Sequence, residues 1–303
     1  MNRFLFLAPL RFALGSAVLL AGCTSDGEPL LDTPATEQAA SASAVDVADR
    51  AAAPASLSLP YDFAAASATF ELPEALREIS GLALLPDGRL AAVQDETGVL
   101  YTLDAATGAI VEERTFAGAG DYEDVEHADG AVWVLMSNGT LIELPDGDGP
   151  AREHDTPLKG KCDAEGLALD AARSRLLIAC KEDPGEGLDE DAVRAVYAFD
   201  LGARALDTSP AYVFDRRTLD ARDDFKPSAL AIRPGTAELY VLSSVRNALA
   251  VVGADGRVAS VVELPEATNA QPEGLAFAPD GTLFLSNEGP EGPATLQRFD
   301  TRP

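Results

Sequence analysis

From Tyr61 onward the chain alternates short apolar runs with turn signals. Pro86-Asp87-Gly88, Asp129-Gly130, Asn138-Gly139, Asp255-Gly256 and Asp280-Gly281 punctuate it. Short apolar runs joined by such pairs predict hairpin-linked strands and an all-β fold. One phrase recurs: Ser80-Gly81-Leu82-Ala83, Glu123-Asp124-Val125, Glu165-Gly166-Leu167-Ala168, Ser228-Ala229-Leu230-Ala231 and Glu273-Gly274-Leu275-Ala276. Each opens a strand, a turn and a second strand. The spacing is roughly 42–45 residues, with one wider gap of about 63, and such a period matches a four-stranded propeller blade. Four strands in each of the first four repeats, three in the fifth, and one early strand near Ala68–Leu72 make a five-bladed β-propeller. The early strand completes the last blade and removes a free sheet edge. A six-bladed ring, the alternative, needs a repeat that the sequence does not show. The wide gap holds an acidic, Gly-rich insertion around Glu182–Asp191.

The first 60 residues break this pattern. Arg3 and Arg11 bracket a basic start, and Phe12–Leu20 is an apolar run too short to span a bilayer but long enough for a secretory leader. Leu20-Ala21-Gly22-Cys23 resembles the bacterial lipoprotein box, in which the cysteine is lipidated and becomes the new N-terminus. Thr24, in place of Asp, then favours the outer membrane, facing the periplasm. Residues 24 to about 60 are rich in Ala, Ser, Thr, Pro and acids, with no aromatic before Tyr61. Such a stretch cannot bury enough apolar surface to fold alone. It predicts a tether reaching roughly 30–35 Å. The expected organisation is a leader over 1–22, a lipidated, disordered linker over 23–60 and the propeller over 61–303. The implied partners are the membrane, through lipid on Cys23, and an unknown envelope ligand or protein.

Composition narrows the function. With 23 Lys+Arg against 50 Asp+Glu the net charge is −27, which excludes a basic, phosphate-tracking nucleic-acid binder. Two histidines and three cysteines leave little for a His-rich metal site or a Cys-based zinc array. There is no Gly-x-Ser-x-Gly elbow, His-Glu-x-x-His pair or phosphate loop. His127 and His154 read as surface residues rather than bases. The loop Asp183–Asp191 lacks the EF-hand ligand order and reads as solvated.

Several longer phrases resemble the SdiA-regulated (YjiK-like) family. They are REISGLALLPDGRLAAVQDETGVLYTLD, DYEDVEHADGAVWVLMSNGTLIEL, CDAEGLALD, KPSALAIRP and QPEGLAFAPDGTLFLSNEG, spread over residues 67–300. The resemblance implies a periplasm-facing β-propeller of largely unassigned biochemistry, linked to calcium and comparable with propeller phytases.

Propeller geometry selects a face for chemistry. The first strand of each blade lines the channel and the second returns antiparallel, so first-strand starts and second-strand ends share one mouth. Glu78, Glu123, Glu165 and Glu273 come from strand starts; Asp95, Glu182, Asn287 and Glu288 come from strand ends. Oxygen-only donors suit a hard cation, Ca²⁺ first. The alternatives are that these acids only accept backbone N–H bonds at blade junctions, or that they hold a catalytic metal. A phytase-like hydrolase would need Lys181, Lys226 and Arg77 for phosphate. A gluconolactonase-like one would use Glu165, Asn287 and Asp95. No catalytic residue is assigned. Cys162 and Cys180 fall near each other across the third blade, either bridged, contributing about 3 kcal/mol, or as free thiols.

Overall fold

The computed structural model describes residues 59–220 and 224–302. The leader, Cys23 and nearly all of the linker lie outside them.

The strand β1 (Ala68–Glu71) comes first in the chain but belongs to the last blade. Blade one holds β2 (Ile79–Leu84), β3 (Leu90–Gln94), β4 (Thr97–Leu103) and β5 (Ile110–Ala119). Blade two holds β6 (Tyr122–Ala128), β7 (Ala131–Met136), β8 (Leu141–Pro145) and β9 (Arg152–His154). Blade three has β10 (Ala164–Asp170), β11 (Arg175–Cys180) and β12 (Val193–Asp200), followed by β13 (Ala205–Leu206) and β14 (Tyr212–Asp215). One turn of helix, α1 (Arg216–Leu219), leads out of it. Blade four holds β15 (Ala229–Ile232), β16 (Leu239–Ser243), β17 (Ala248–Val252) and β18 (Val258–Glu263). Blade five holds β19 (Pro272–Phe277), β20 (Leu283–Asn287) and β21 (Thr295–Phe299). Every paired strand is antiparallel.

The five first strands form a closed ring: β2 lies against β6, β6 against β10, β10 against β15, β15 against β19, and β19 against β2. A propeller blade is apolar on both faces because each face packs on a neighbouring blade. The second strands show this as unbroken buried runs, such as Leu90–Gln94 and Leu239–Ser243. Five apolar clusters fill the five junctions. Val93 and Val134 meet between blades one and two, and Trp133 and Ile178 between two and three. Leu177 and Val241 meet between three and four, Tyr240 and Leu285 between four and five, and Phe284 and Leu82 between five and one.

β1 pairs with β21, from Ala68 opposite Arg298 to Glu71 opposite Thr295, and so closes the ring as the sequence predicts. The approach to β1 is fastened too. Tyr61 and Phe63 are buried beside Phe299, the Tyr61 hydroxyl donates to Gly281 O at 2.7 Å, and Arg302 N donates to Pro60 O at 2.8 Å.

One strand differs from expectation. Blade three carries two short outer strands, β13 and β14, both paired to β12, where a single fourth strand is predicted. The extra length of this repeat is also divided. Part is the loop between β11 and β12, and part is the segment through α1 to β15.

Candidate functional site: an acidic channel mouth

Four first strands carry a bulge at the same place. The register skips Ser80 in β2, Glu123 in β6, Glu165 in β10 and Glu273 in β19. A bulge leaves one residue outside the ladder and re-aims its side chain. In blade four the equivalent place is Ser228, just before β15. The residue after the bulge explains the spacing of the inner ring. A Cβ on Gly81 would lie 2.6 Å from the Asp124 Cα, and one on Gly166 would lie 2.9 Å from Leu230 Cγ. Only glycine lets those first strands approach the next blade so closely. Where blade two has Asp124 instead, the side chain becomes a fastener. Its carboxylate accepts from Val125 N at 2.8 Å and Leu167 N at 2.6 Å, and from Leu82 N as well. Glu126 repeats the device one step on, accepting from His127 N and Leu169 N. These two acids hold blades and do not face a ligand.

The second strands end in an equivalent set: Asp95, Ser137, Lys181, Ser244 and Glu288. Backbone bonds keep them in place. Asp95 N donates to Glu78 O, Ser137 N to Asp121 O, Lys181 N to Asp163 O and Glu288 N to Gln271 O. The mouth therefore has two layers, a bulge layer with three Glu and two Ser, and a turn layer with two acids, two Ser and one Lys.

Electrostatics follow from this crowding. Burial, with Glu165 and Asp121 adding, pushes Glu123 up to about 9. Burial, with Glu273, Asp95 and Glu78 adding, pushes Glu288 up to about 7. Asp95 is raised by burial and then by Glu78. Burial also raises Glu273, against hydrogen bonds from Ser244 and Ser228. Glu165 is raised by burial while Lys181, hydrogen-bonded to it, pulls the other way.

Of the predicted residues, Glu123, Glu165 and Glu273 occupy the bulge layer, and Asp95 and Glu288 the turn layer. Glu78 is exposed at the rim. Glu182 is one step outside, paired with Lys226, which holds its carboxyl below the usual range. Asn287 is 3% exposed; its amide donates to Thr295 Oγ1 at 3.4 Å, and its Oδ1, like Asp95 Oδ1, has no partner among the described residues. Among the described residues no three His, Cys, Asp or Glu side chains stand close enough together to chelate an ion. Glu165, Asn287 and Asp95 come from three different blades. The cations a phosphate would need are engaged: Lys181 on Glu165, Lys226 on Glu182, and Arg77 on the carbonyls of Gly289 and Pro290. His127 pairs with Asp146 near the far end of β6, and His154 with Glu143 on the outermost strand of blade two. Cys162 and Cys180 are joined as a disulfide, with their Cα atoms 5.4 Å apart. It flanks Asp163 and Lys181 at the mouth.

The model of the SdiA-regulated family matches residues 150–293. Over that span the chain is similar to the SdiA-regulated family. The matched part of the chain supplies Glu165, Lys181, Glu273 and Glu288 to the mouth, while Asp95 and Glu123 precede it. No curated protein matches the chain. Among solved structures, the Myxococcus xanthus glutaminyl cyclase aligns with a TM-score of 0.57 at 13% identity, over 79% of this chain and 97% of its own. A putative gluconolactonase aligns with a TM-score of 0.50 at 17% identity, over 76% of this chain and 77% of its own. Both likenesses are of fold.

Proposed function

We propose that this propeller is a binding module of the bacterial cell envelope whose acidic mouth takes a hard cation, calcium first. The observation that carries the reading is the pair of stacked layers, in which four of the five blades send carboxylates to one opening. The donors are all oxygen, which suits calcium over softer ions. Orphaned acceptor oxygens on Asp95 and Asn287 fit the same chemistry. The acids stand apart in this conformation, so an incoming ion would draw them together and displace protons from the raised carboxyls. Lipid on Cys23 and the tether would hold the module at the membrane.

Calorimetry with calcium, run in two buffers of different ionisation heat, tests the reading. Binding in the range of about 10⁻⁴–10⁻³ M is expected, with proton release and weaker affinity at pH 6 than at pH 8. No heat and no melting shift at millimolar calcium would overturn it. For the anchor, Cys23→Ser should release the protein from the membrane fraction; unchanged retention would remove that element.

A further inference from the structure

Gln94, at the end of β3, shows how this chain settles a buried amide. Its Nε2 donates to Thr97 Oγ1 at 2.7 Å, and its Oε1 accepts from Glu96 N at 2.7 Å. Two amides between blades four and five are settled at one end only. Gln297 lies on β21 opposite Leu285, which belongs to the apolar cluster of that junction. Asn269 lies in the connection from β18 to β19. Gln297 Nε2 donates to Thr268 O at 2.6 Å. Asn269 Nδ2 donates to Pro265 O at 3.1 Å and to Thr268 Oγ1 at 3.0 Å. Both amides therefore converge on Thr268. Their oxygens, Gln297 Oε1 and Asn269 Oδ1, have no partner among the described residues. Turning either amide over does not help. It would set the oxygen against a backbone carbonyl, Thr268 O or Pro265 O, and neither of two acceptors has a proton to give. The two residues are 3% and 0% exposed, so bulk solvent does not serve them. A buried acceptor without a donor carries the whole loss of its hydration.

We infer that the mouth half of the junction between blades four and five holds internal water, which donates to Gln297 Oε1 and Asn269 Oδ1. Water fits because it brings two O–H donors in the smallest volume. A cation does not, since two neutral amide oxygens offer no countercharge to offset its dehydration. A larger donor would need an opening that such burial does not leave. Asn287 lies opposite Thr295 on the same face of blade five, and its unpartnered Oδ1 marks the mouth end of the seam. The floor half of the junction is filled instead by the rings of Tyr61, Tyr240 and Phe277. The seam is thus aromatic below and hydrated above. None of this depends on the cation reading, because neither Gln297 nor Asn269 is among the groups offered to an ion.

The test is a crystal structure of the full-length chain, at a resolution that places solvent, beside one of Gln297→Leu. The native structure should show solvent about 2.6–3.0 Å from Gln297 Oε1 and from Asn269 Oδ1, shared or separate. Either oxygen found on a protein donor, or a seam closed without solvent, would overturn the inference. Q297L should lose the water held at position 297. Solvent unmoved in that variant would also overturn it, because the amide would not be what holds the water. If Q297L does not fold, the native structure decides alone.

Discussion

Glu123 sits on its bulge with Glu165 and Asp121 as neighbours, and its carboxyl keeps its proton up to about pH 9. In the unfolded chain a glutamate loses that proton near pH 4.3. Between these values the folded state binds more protons than the unfolded state, so stability falls as pH rises. Glu288, raised to about 7, adds to the slope in the lower part of the window. A melting series from pH 5 to pH 8 without divalent ions should therefore show a falling midpoint, and Glu123→Gln should flatten it. An unchanged slope in that variant would mean that Glu123 is not held protonated. Much of this site was legible in the sequence at this scale. Strand parity alone places Glu123, Glu165, Glu273, Asp95 and Glu288 at one mouth. What parity cannot supply is which acid meets which cation. Lys181 reads in sequence as one of three cations for a phosphate, yet it faces Glu165 because that residue is turned out of its ladder.

Bulges belong to the pairing of two strands and leave little trace in either strand alone. The trace here is a glycine directly after an acid or serine, as in Ser80-Gly81, Glu165-Gly166 and Glu273-Gly274. Its physical origin is the closeness of neighbouring first strands. Gly81→Ala puts a methyl group 2.6 Å from the Asp124 backbone and 2.8 Å from Val125 N, where neither side can yield. Urea unfolding should show a loss of about 1–3 kcal/mol. Gly118→Ala in β5, where a Cβ would meet nothing within 4 Å, should cost far less. Equal effects would mean that the inner ring is looser than described. The outer edge of blade three was the least legible element. Its polar insertions interrupt the apolar alternation, so β13 and β14 look like loop and pair with β12 only through the fold.

Closure decides whether separate blades act as one molecule. The count of five was readable because each repeat carries its own opening phrase, and the incomplete fifth repeat called for a strand from the other end of the chain. β1 supplies it, and with it come the buried anchors Tyr61 and Phe63. Each such side chain contributes about 1.5–3 kcal/mol of burial, and β21 without β1 is an open edge. Deleting residues 1–71 should lower the melting midpoint by about 10 °C or more and produce oligomers on size-exclusion chromatography. A monomer that melts at the native temperature would show that the ring does not depend on this seam. The same seam has a practical side. Tyr61 is hooked to Gly281, in the turn where β19 hands over to β20, and that turn lies on the floor opposite the carboxylates. Anything joined ahead of Leu59, whether a sensor chip, a bead or a fused reporter, takes off from the underside and leaves the funnel clear for whatever is titrated into it.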